Sequence, residues 1–367
     1  MRTLFIVVFI VHGCIHFLGY TKAFYPSFVS GPIQLVSRPF GLVWLLVGLL
    51  FIMTALLFIF KNEWWSTLGI ITILLSQTLI IIFWKDAKYG TIVNLVFLLV
   101  TISCHAYNKF NRMTLNESHG IFETININTP VVPKKENLKH LPPIVHKWLT
   151  VSGVFQTSKT VSVRLKQKGE MKTSPSGRWM PFAAQQYFNC EDPSFIWITK
   201  VNPLPLVYLN GRDKLTNAQG EMLIKLFGIF PVVNEGKNEK INAASMQRYL
   251  AEICWFPSAA INEHLTWESI GETSVKAILT LDNKSVSGVF TFTLEGEFRS
   301  FETKRYYGSS KDAELEIWHI EALEQKVFNG IKIPSKCKVT WRLEEGEFNW
   351  LNLEITALEY NKPYPYE

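Results

Sequence analysis

Two histidines four residues apart, His12 and His16, are the first residues in this sequence able to do chemistry, and both sit inside an apolar run. A spacing of four places them on one face of a helix. Ionisable groups inside a membrane span turn toward the bundle interior and mark ligand, ion or proton paths. The plainer role for His, Gln or Asn is to hydrogen-bond neighbouring helices. At a rise of about 1.5 Å per residue, Lys22, Gln77, Asp86, Lys88 and Asn94 fall near the same end of the bundle, whereas His105 lies roughly 10–16 Å away in depth. No third ligand accompanies the histidine pair, so neither a metal nor a bound cofactor is expected.

The remaining sequence offers few reactive constellations. It holds no Gly-x-Gly-x-x-Gly, no phosphate loop, no Gly-x-Ser-x-Gly and no His-Glu-x-x-His, the patterns that would announce nucleotide, acyl-transfer or zinc chemistry. Cys254 and His264 would make a nucleophile pair only if the fold joined them. Glu252, Glu268, Glu316 and Glu321 are acid–base candidates; on strands and helices such groups are more often solvated or paired. Arg248 and Glu252 stand at i, i+4, the spacing of a helical ion pair. Large aromatics are abundant: Phe182, Trp197, Trp255, Phe256, Trp267, Trp318, Trp341 and Trp350 read mostly as core. Arg178–Phe182, which includes Trp179, follows the loop-forming Thr173–Gly177 and reads as a lid or a membrane-touching edge. The expected ligand-binding set is therefore Trp179, Phe182, Arg248, Glu252, Trp255, Trp267, Glu268 and Arg305, with Arg248 or Arg305 meeting a polar headgroup.

These residues must be positioned by two unlike halves. Thr3–Tyr20, Phe40–Phe60, Trp64–Trp84 and Thr91–Tyr107 are apolar runs near the ~17–25 residues that cross a bilayer, several edged by Trp or Tyr as interfacial anchoring requires. Short connections at Lys61–Glu63 and Lys85–Gly90 make them antiparallel neighbours in a four-helix bundle. No small-x-small cleavage site follows the first run, so it is expected to stay as a membrane helix. Eight basic and two acidic residues up to Arg112 supply the entire net charge of +6, leaving 29 of the 37 basic and 29 of the 31 acidic residues to cancel in the rest. That balance excludes a nucleic-acid partner, which needs a basic excess. Loop charges divide evenly between the two sides of the membrane. The tie is broken by Lys134-Lys135, which favour a cytoplasmic soluble domain. Cys14, Cys104, Cys190, Cys254 and Cys337 show no metal or disulfide spacing.

Three segments are expected: residues 1–110 as the bundle, 111–136 as a polar linker, and 137–367 as a soluble domain. Pro142-Pro143 open a helix and Gly153 closes it. Alternating apolar residues mark strands at Thr160–Met171, Ser194–Thr199 and Leu206–Leu209, then repeatedly from Val275 to Leu358. Turns fall at Asp282-Asn283, Glu295-Gly296, Asn329-Gly330 and Glu344–Gly346. A helical insert is expected between the two strand groups, at Glu221–Phe230 and Ala243–Cys254. The fold class is thus a membrane four-helix bundle followed by an α+β domain, a curved antiparallel sheet or half-barrel with a helical insert. Such a sheet either encloses an apolar volume or is simply a packed core.

Several stretches carry a family resemblance. His16–Phe24, Ser76-Gln77, Trp84–Asn94, Arg248–Glu252, Trp255-Phe256-Pro257 and Trp267-Glu268 together resemble an uncharacterised bacterial family of membrane proteins with a domain of unknown function. The four N-terminal helices are loosely similar to DoxX-type proteins, which implies a quinone or redox link. The β-rich part is similar in plan to LolA-like half-barrels, which implies a hydrophobic ligand, although a periplasmic carrier would require a signal peptide. Three functions are consistent with these readings. The first is a membrane protein whose soluble domain binds a lipid or other hydrophobe without catalysis. The second is a quinone-linked bundle using His12, His16, Gln77 and Asn94. The third is an enzyme on a membrane-associated substrate. The bilayer is the expected partner of each.

Overall fold

The structure, a computed structural model, describes residues 2–28, 34–125, 131–138, 141–236, 238–308 and 313–366. The chain divides into two compact units, Met1–Asn111 and Arg112–Glu367.

The first unit is built from helices α1 (Arg2–Phe24), α2 (Arg38–Ile59), α3 (Trp65–Ile82), a short α4 (Trp84–Ala87) and the beginning of α5 (Gly90–Phe122). All but α4 are long and apolar enough to cross a membrane. Phe9, Trp44, Phe51, Ile73, Leu79 and Phe97 form the buried centre. Leu4, Leu46, Ile81 and Leu99 point outward, a surface suited to lipid because the helices satisfy their own backbone groups. Close approach of α1 and α2 depends on two glycines. A Cβ on Gly13 would lie 2.7 Å from the Phe51 Cβ, and one on Gly48 would lie 2.6 Å from the Phe17 ring. Small residues at helix crossings are how membrane helices gain packing contact.

The second unit is dominated by one antiparallel sheet. Strands β1 (Ser162–Met171), β2 (Met180–Asn189), β3 (Ser194–Leu204), β4 (Val207–Thr216), β5 (Gln219–Leu226) and β6 (Phe230–Gly236) form one meander. Strands β7 (Leu265–Ser269), β8 (Ser274–Leu281), β9 (Lys284–Phe292), β10 (Phe298–Tyr306), β11 (Leu315–Phe328), β12 (Ile331–Leu343) and β13 (Gly346–Tyr360) form another. Pairing of β1 with β13 joins the two into a 13-stranded sheet with β6 and β7 at its edges. Helix α6 (Pro143–Val151) precedes the sheet, and helix α7 (Glu239–Glu252) carries the chain from one edge to the other.

That connection shows how strongly the sheet is curved. Laid flat at about 4.8 Å per strand, thirteen strands would span roughly 58 Å. The 14 residues of α7 cover only about 21 Å, yet α7 packs against β4, β5 and β6 on one wing and β8, β9 and β10 on the other. The wings must therefore curl toward each other around α7. Register shifts in five pairings within the two wings, such as β11 with β12, and in the β1–β13 join add the local twist that such curling needs. Val163, Phe188, Phe195, Leu215, Leu250, Phe256, Phe290, Phe301 and Ile333 fill much of the enclosed face.

Local signals explain many of the boundaries. Pro143 begins α6, and Gly153 follows it at φ 84°, where a Cβ would meet the Gly330 carbonyl at 2.5 Å. Asn238 caps α7 by accepting from the Ile241 amide at 3.0 Å. The Asn329-Gly330 and Asp282-Asn283 turns both take positive φ, the geometry of a two-residue hairpin.

Three expectations change. Glu221–Phe230 is not helical: it contributes to β5 and β6, with Phe227 and Gly228 turning between them at positive φ. A short apolar run has no period of its own, and pairing with β4 decides its state. Arg178–Phe182 is no free lid, because Met180–Phe182 begin β2 and Phe182 is buried. Nor does the helix stop where the apolar run stops. α5 continues to Phe122, where Thr114, Ser118, Ile121 and Phe122 keep a buried face at helical spacing. Residues 126–130 of the expected linker lie outside the described residues.

Candidate functional site

The curled sheet is hollow at one end. A cavity of about 450 Å³ is walled by Phe182, Trp197, Trp255, Trp318, Trp341, Phe348 and Trp350, with Gln167, Lys172, Thr173, Asp213, Arg248, Glu252 and Arg305 among its polar lining. Strand alternation explains how the polar groups arrive there. Val163, Leu165 and Gln167 share one face of β1, and Phe182, Ala184, Gln186 and Phe188 share one face of β2. The pattern recurs with Phe195 and Trp197 on β3, Asp213 and Leu215 on β4, and Phe301, Thr303 and Arg305 on β10.

Most of these polar groups satisfy one another. Arg248 donates through Nη1 to Asp213 Oδ2 at 2.7 Å and through Nε to Glu252 Oε1 at 2.8 Å. Gln186 Nε2 donates to Glu252 Oε2 at 2.7 Å, Gln167 Nε2 to Gln186 Oε1 at 3.3 Å, and Trp197 Nε1 to Gln167 Oε1 at 2.8 Å. The Arg248 guanidinium also lies 4.9 Å from the centre of the Trp197 ring. Burial pushes the Glu252 carboxyl up from its ordinary range despite the Arg248 charge beside it. For Arg248, burial works against the charged form, but the Glu252 and Asp213 carboxylates outweigh it and raise the pKa.

Arg305 is different. Its guanidinium sits 4.6 Å from the centre of the Trp318 ring, and no described carboxylate lies within ion-pair distance of it. Burial lowers its pKa to about 10; Asp213 and Glu252 offset this only through space, and Arg248 opposes them. The indole N–H groups of Trp255, Trp318 and Trp350 are also buried with no protein acceptor among the described residues.

Of the residues expected to bind a ligand, Phe182, Arg248, Glu252, Trp255 and Arg305 line this cavity. Trp267 and Glu268 do not. Edge strand β7 turns Trp267 into the core against Trp148 and Phe290, and alternation sends Glu268 outward to Lys276 at 3.5 Å. Trp179 also lies outside the wall, half-buried with the Lys172 ammonium 4.9 Å from its ring centre. Gln167, Gln186 and Asp213 were not anticipated, although each stands on the apolar face of an alternating strand, which was the available signal. Cys254 borders the cavity, and burial raises its thiol well above the ordinary range. No hydrogen bond joins it to His264 among the described residues.

The bundle unit holds a second cavity, about 390 Å³, bordered by His12, His16, Lys22, Trp44, Asp86 and Tyr89 among others. The expected polar cluster assembles here, with Ser76 as an unanticipated hub. His16 Nδ1 donates to the His12 carbonyl at 2.9 Å, leaving Nε2 to accept from the Ser76 hydroxyl at 2.8 Å. His12 Nε2 donates to Asn94 Oδ1 at 3.0 Å. Asn94 Nδ2 donates to Ser76 Oγ and Gln77 Oε1, and Gln77 Nε2 donates to Thr91. Lys22 and Asp86 form an ion pair at 2.6 Å. Lys88 is not brought into this network; its ammonium lies over the Tyr89 ring. The indole N–H of Trp44 has no protein acceptor among the described residues.

Fold and site define a class: four candidate membrane spans followed by a curled antiparallel sheet, crossed by a helix and hollow at one end. The chain belongs to the family described as "Family of unknown function (DUF6920)", which matches residues 139–360, more than half its length. Comparison with curated proteins finds no match. Among solved structures, a LolA superfamily protein from Nitrosomonas europaea is similar at 12% identity and a TM-score of 0.35, covering 60% of this chain and 92% of that one. A putative outer membrane lipoprotein-sorting protein domain from Vibrio parahaemolyticus is similar at 10% identity and 0.29, covering 55% and 86%. A DUF1329 family protein from Desulfovibrio piger is similar at 12% identity and 0.30, covering 60% and 91%. These likenesses are too distant to add to what the strands themselves establish.

Proposed function

We propose that this chain is a membrane protein whose sheet domain binds a lipid or similar hydrophobic molecule in the cavity beside α7. The carrying observation is the aromatic-walled volume of about 450 Å³, within the range of small-molecule sites and lined as they are, by apolar groups with a few placed polar ones. Nothing in the cavity favours catalysis: its two carboxylates, Asp213 and Glu252, are both engaged by Arg248. A photoreactive fatty alcohol added to vesicles containing the full chain tests the reading. Cross-links should concentrate on peptides carrying Trp341, Phe348 and Trp350, and Val339→Trp, which fills the cavity, should suppress them. Labelling spread evenly over the membrane helices, and unchanged by Val339→Trp, would refute it.

The bundle cavity favours a second reading. There the unpaired Trp44 indole, 5.0 Å from the His16 ring centre to centre, would suit the carbonyl of a quinone-like molecule. A quinone that binds the full chain and is lost on Trp44→Phe would support it; indifference to that change would remove it.

A further inference from the structure

Arg305 is an unusual residue to place on the inner face of a lipid-binding sheet. Five guanidinium N–H groups are available, yet none donates to a described residue, and the group lies over the ring of Trp318. A cation–π contact recovers only part of the cost of desolvating a charge. The neighbouring Arg248 shows what compensation looks like in the same cavity, with two carboxylates at 2.7 and 2.8 Å. In the wall of the same cavity, the buried indole N–H groups of Trp255, Trp318 and Trp350 also lack acceptors among the described residues, whereas buried indoles ordinarily find one. Asp213 Oδ1 is the one buried cavity acceptor left without a donor among the described residues, so donors in want of an acceptor outnumber it, and Arg305 and the three tryptophans all border one cavity.

We propose that the ligand is a single-chain amphiphile with an oxyanion head, a carboxylate or phosphate, which Arg305 binds. This deepens the hydrophobe-binding reading and rests on it. The head supplies the acceptor and the negative charge that Arg305 lacks, since charge-assisted contacts from Arg to such groups are the strong ones. The volume suits a single tail: at about 30 Å³ per water-sized group, 450 Å³ matches roughly fifteen such groups, the size of one acyl chain. Arg305 stands two residues past Thr303 and four past Phe301 on β10, so one strand face presents the core first and the charged site next.

The test uses the full chain in uncharged phosphatidylcholine nanodiscs, with intrinsic tryptophan fluorescence to report binding of myristate, myristyl alcohol or inorganic phosphate. Myristate is expected to bind the wild type about tenfold or more tighter than myristyl alcohol. Arg305→Gln should remove that advantage and leave alcohol binding unchanged, and Arg305→Lys should restore part of it. Thermal unfolding of each variant verifies folding. An unchanged preference for myristate in Arg305→Gln overturns the assignment of the head to Arg305. Phosphate binding as tightly as myristate, and lost in Arg305→Gln, overturns the amphiphile and leaves a free-anion site. If neither myristate nor the alcohol binds the wild type, the hydrophobe-binding reading fails, and this inference with it.

Discussion

The two cavities solve the problem of a buried polar group in opposite ways. In the bundle, His12, His16, Ser76, Gln77 and Asn94 pass hydrogen bonds from one to the next, and Lys22 is closed against Asp86. In the sheet, one arginine is closed in the same manner while a second is left open. A satisfied network holds elements together and asks nothing of a ligand. An unsatisfied donor in an apolar cavity costs stability, and binding an acceptor recovers that cost. Orphaned indole donors occur in both cavities, Trp44 in one and Trp255, Trp318 and Trp350 in the other, but only the sheet adds an arginine that no described carboxylate pairs, and that is the ground for proposing the binding site there.

Arg248 provides the largest expected effect. Arg248→Met strips the counter-charge from Asp213 and Glu252, whose side chains are only 3% and 8% exposed. Breaking a buried pair in this way costs about 3–5 kcal/mol, a fall of roughly 6–20 °C in the melting temperature of a unit this size. Circular dichroism of the full chain in detergent would measure it. A fall of less than about 3 °C would mean that water compensates these carboxylates and that the two cavities differ less than their contacts imply.

His16→Ala examines the bundle side of the comparison. It removes the acceptor of the Ser76 hydroxyl and leaves a void against Trp44 and Phe51. Membrane hydrogen bonds are worth about 0.6–2 kcal/mol, so with the void the loss should be about 1–3 kcal/mol. Unfolding by titration with a denaturing detergent reads this out, and His16→Gln should recover part of it. A neutral result would remove the bundle network from the structural role assigned to it.

Much of this contrast was written in the sequence, but unevenly. The i, i+4 spacing of Arg248 and Glu252 announced their pairing, and His12 with His16 announced a polar helix face. Asp213 could not be paired with Arg248 by spacing, because a meander of antiparallel strands and a crossing helix bring together residues 35 positions apart. Hairpins ending in Asn329-Gly330 or Asp282-Asn283 were legible because those residues tolerate positive φ. Glu221–Phe230 was not, since its strand state is imposed by its neighbour. The cavity itself was the least legible feature: an inward face of Phe, Trp and Val reads alike whether the space before it is filled or open.

Arg305→Met should act in the direction opposite to Arg248→Met. Arg305 is only partly buried, so replacing its unpaired charge with an apolar side chain of similar length is expected to stabilise the ligand-free protein by no more than about 1 kcal/mol, a rise of at most roughly 2–4 °C. Stability gained where binding is lost is the ordinary trade at a functional site. Melting curves with and without myristate would show the variant starting higher and responding less. A lower melting temperature without ligand would indicate that Arg305 is compensated in the folded state, and the asymmetry between the two arginines would disappear.

The smallest effect compares two uses of imidazole. His12 and His16 are held by neutral hydrogen-bonding groups, whereas His319 on β11 sits 3.3 Å from Glu302 with the Arg342 guanidinium nearby. Burial, then Arg342, hold the His319 pKa below its ordinary value, and Glu302 offsets them only in part. The unfolded chain therefore takes up a proton at this histidine near pH 6.5, where the folded chain does not. Stability is present well above that pH and declines as the pH falls through it, because the unfolded state binds more protons. His319→Gln should remove this slope and narrow the difference in melting temperature between neutral and mildly acidic buffer by about 1–2 °C. An unchanged slope would assign the acid sensitivity to another group.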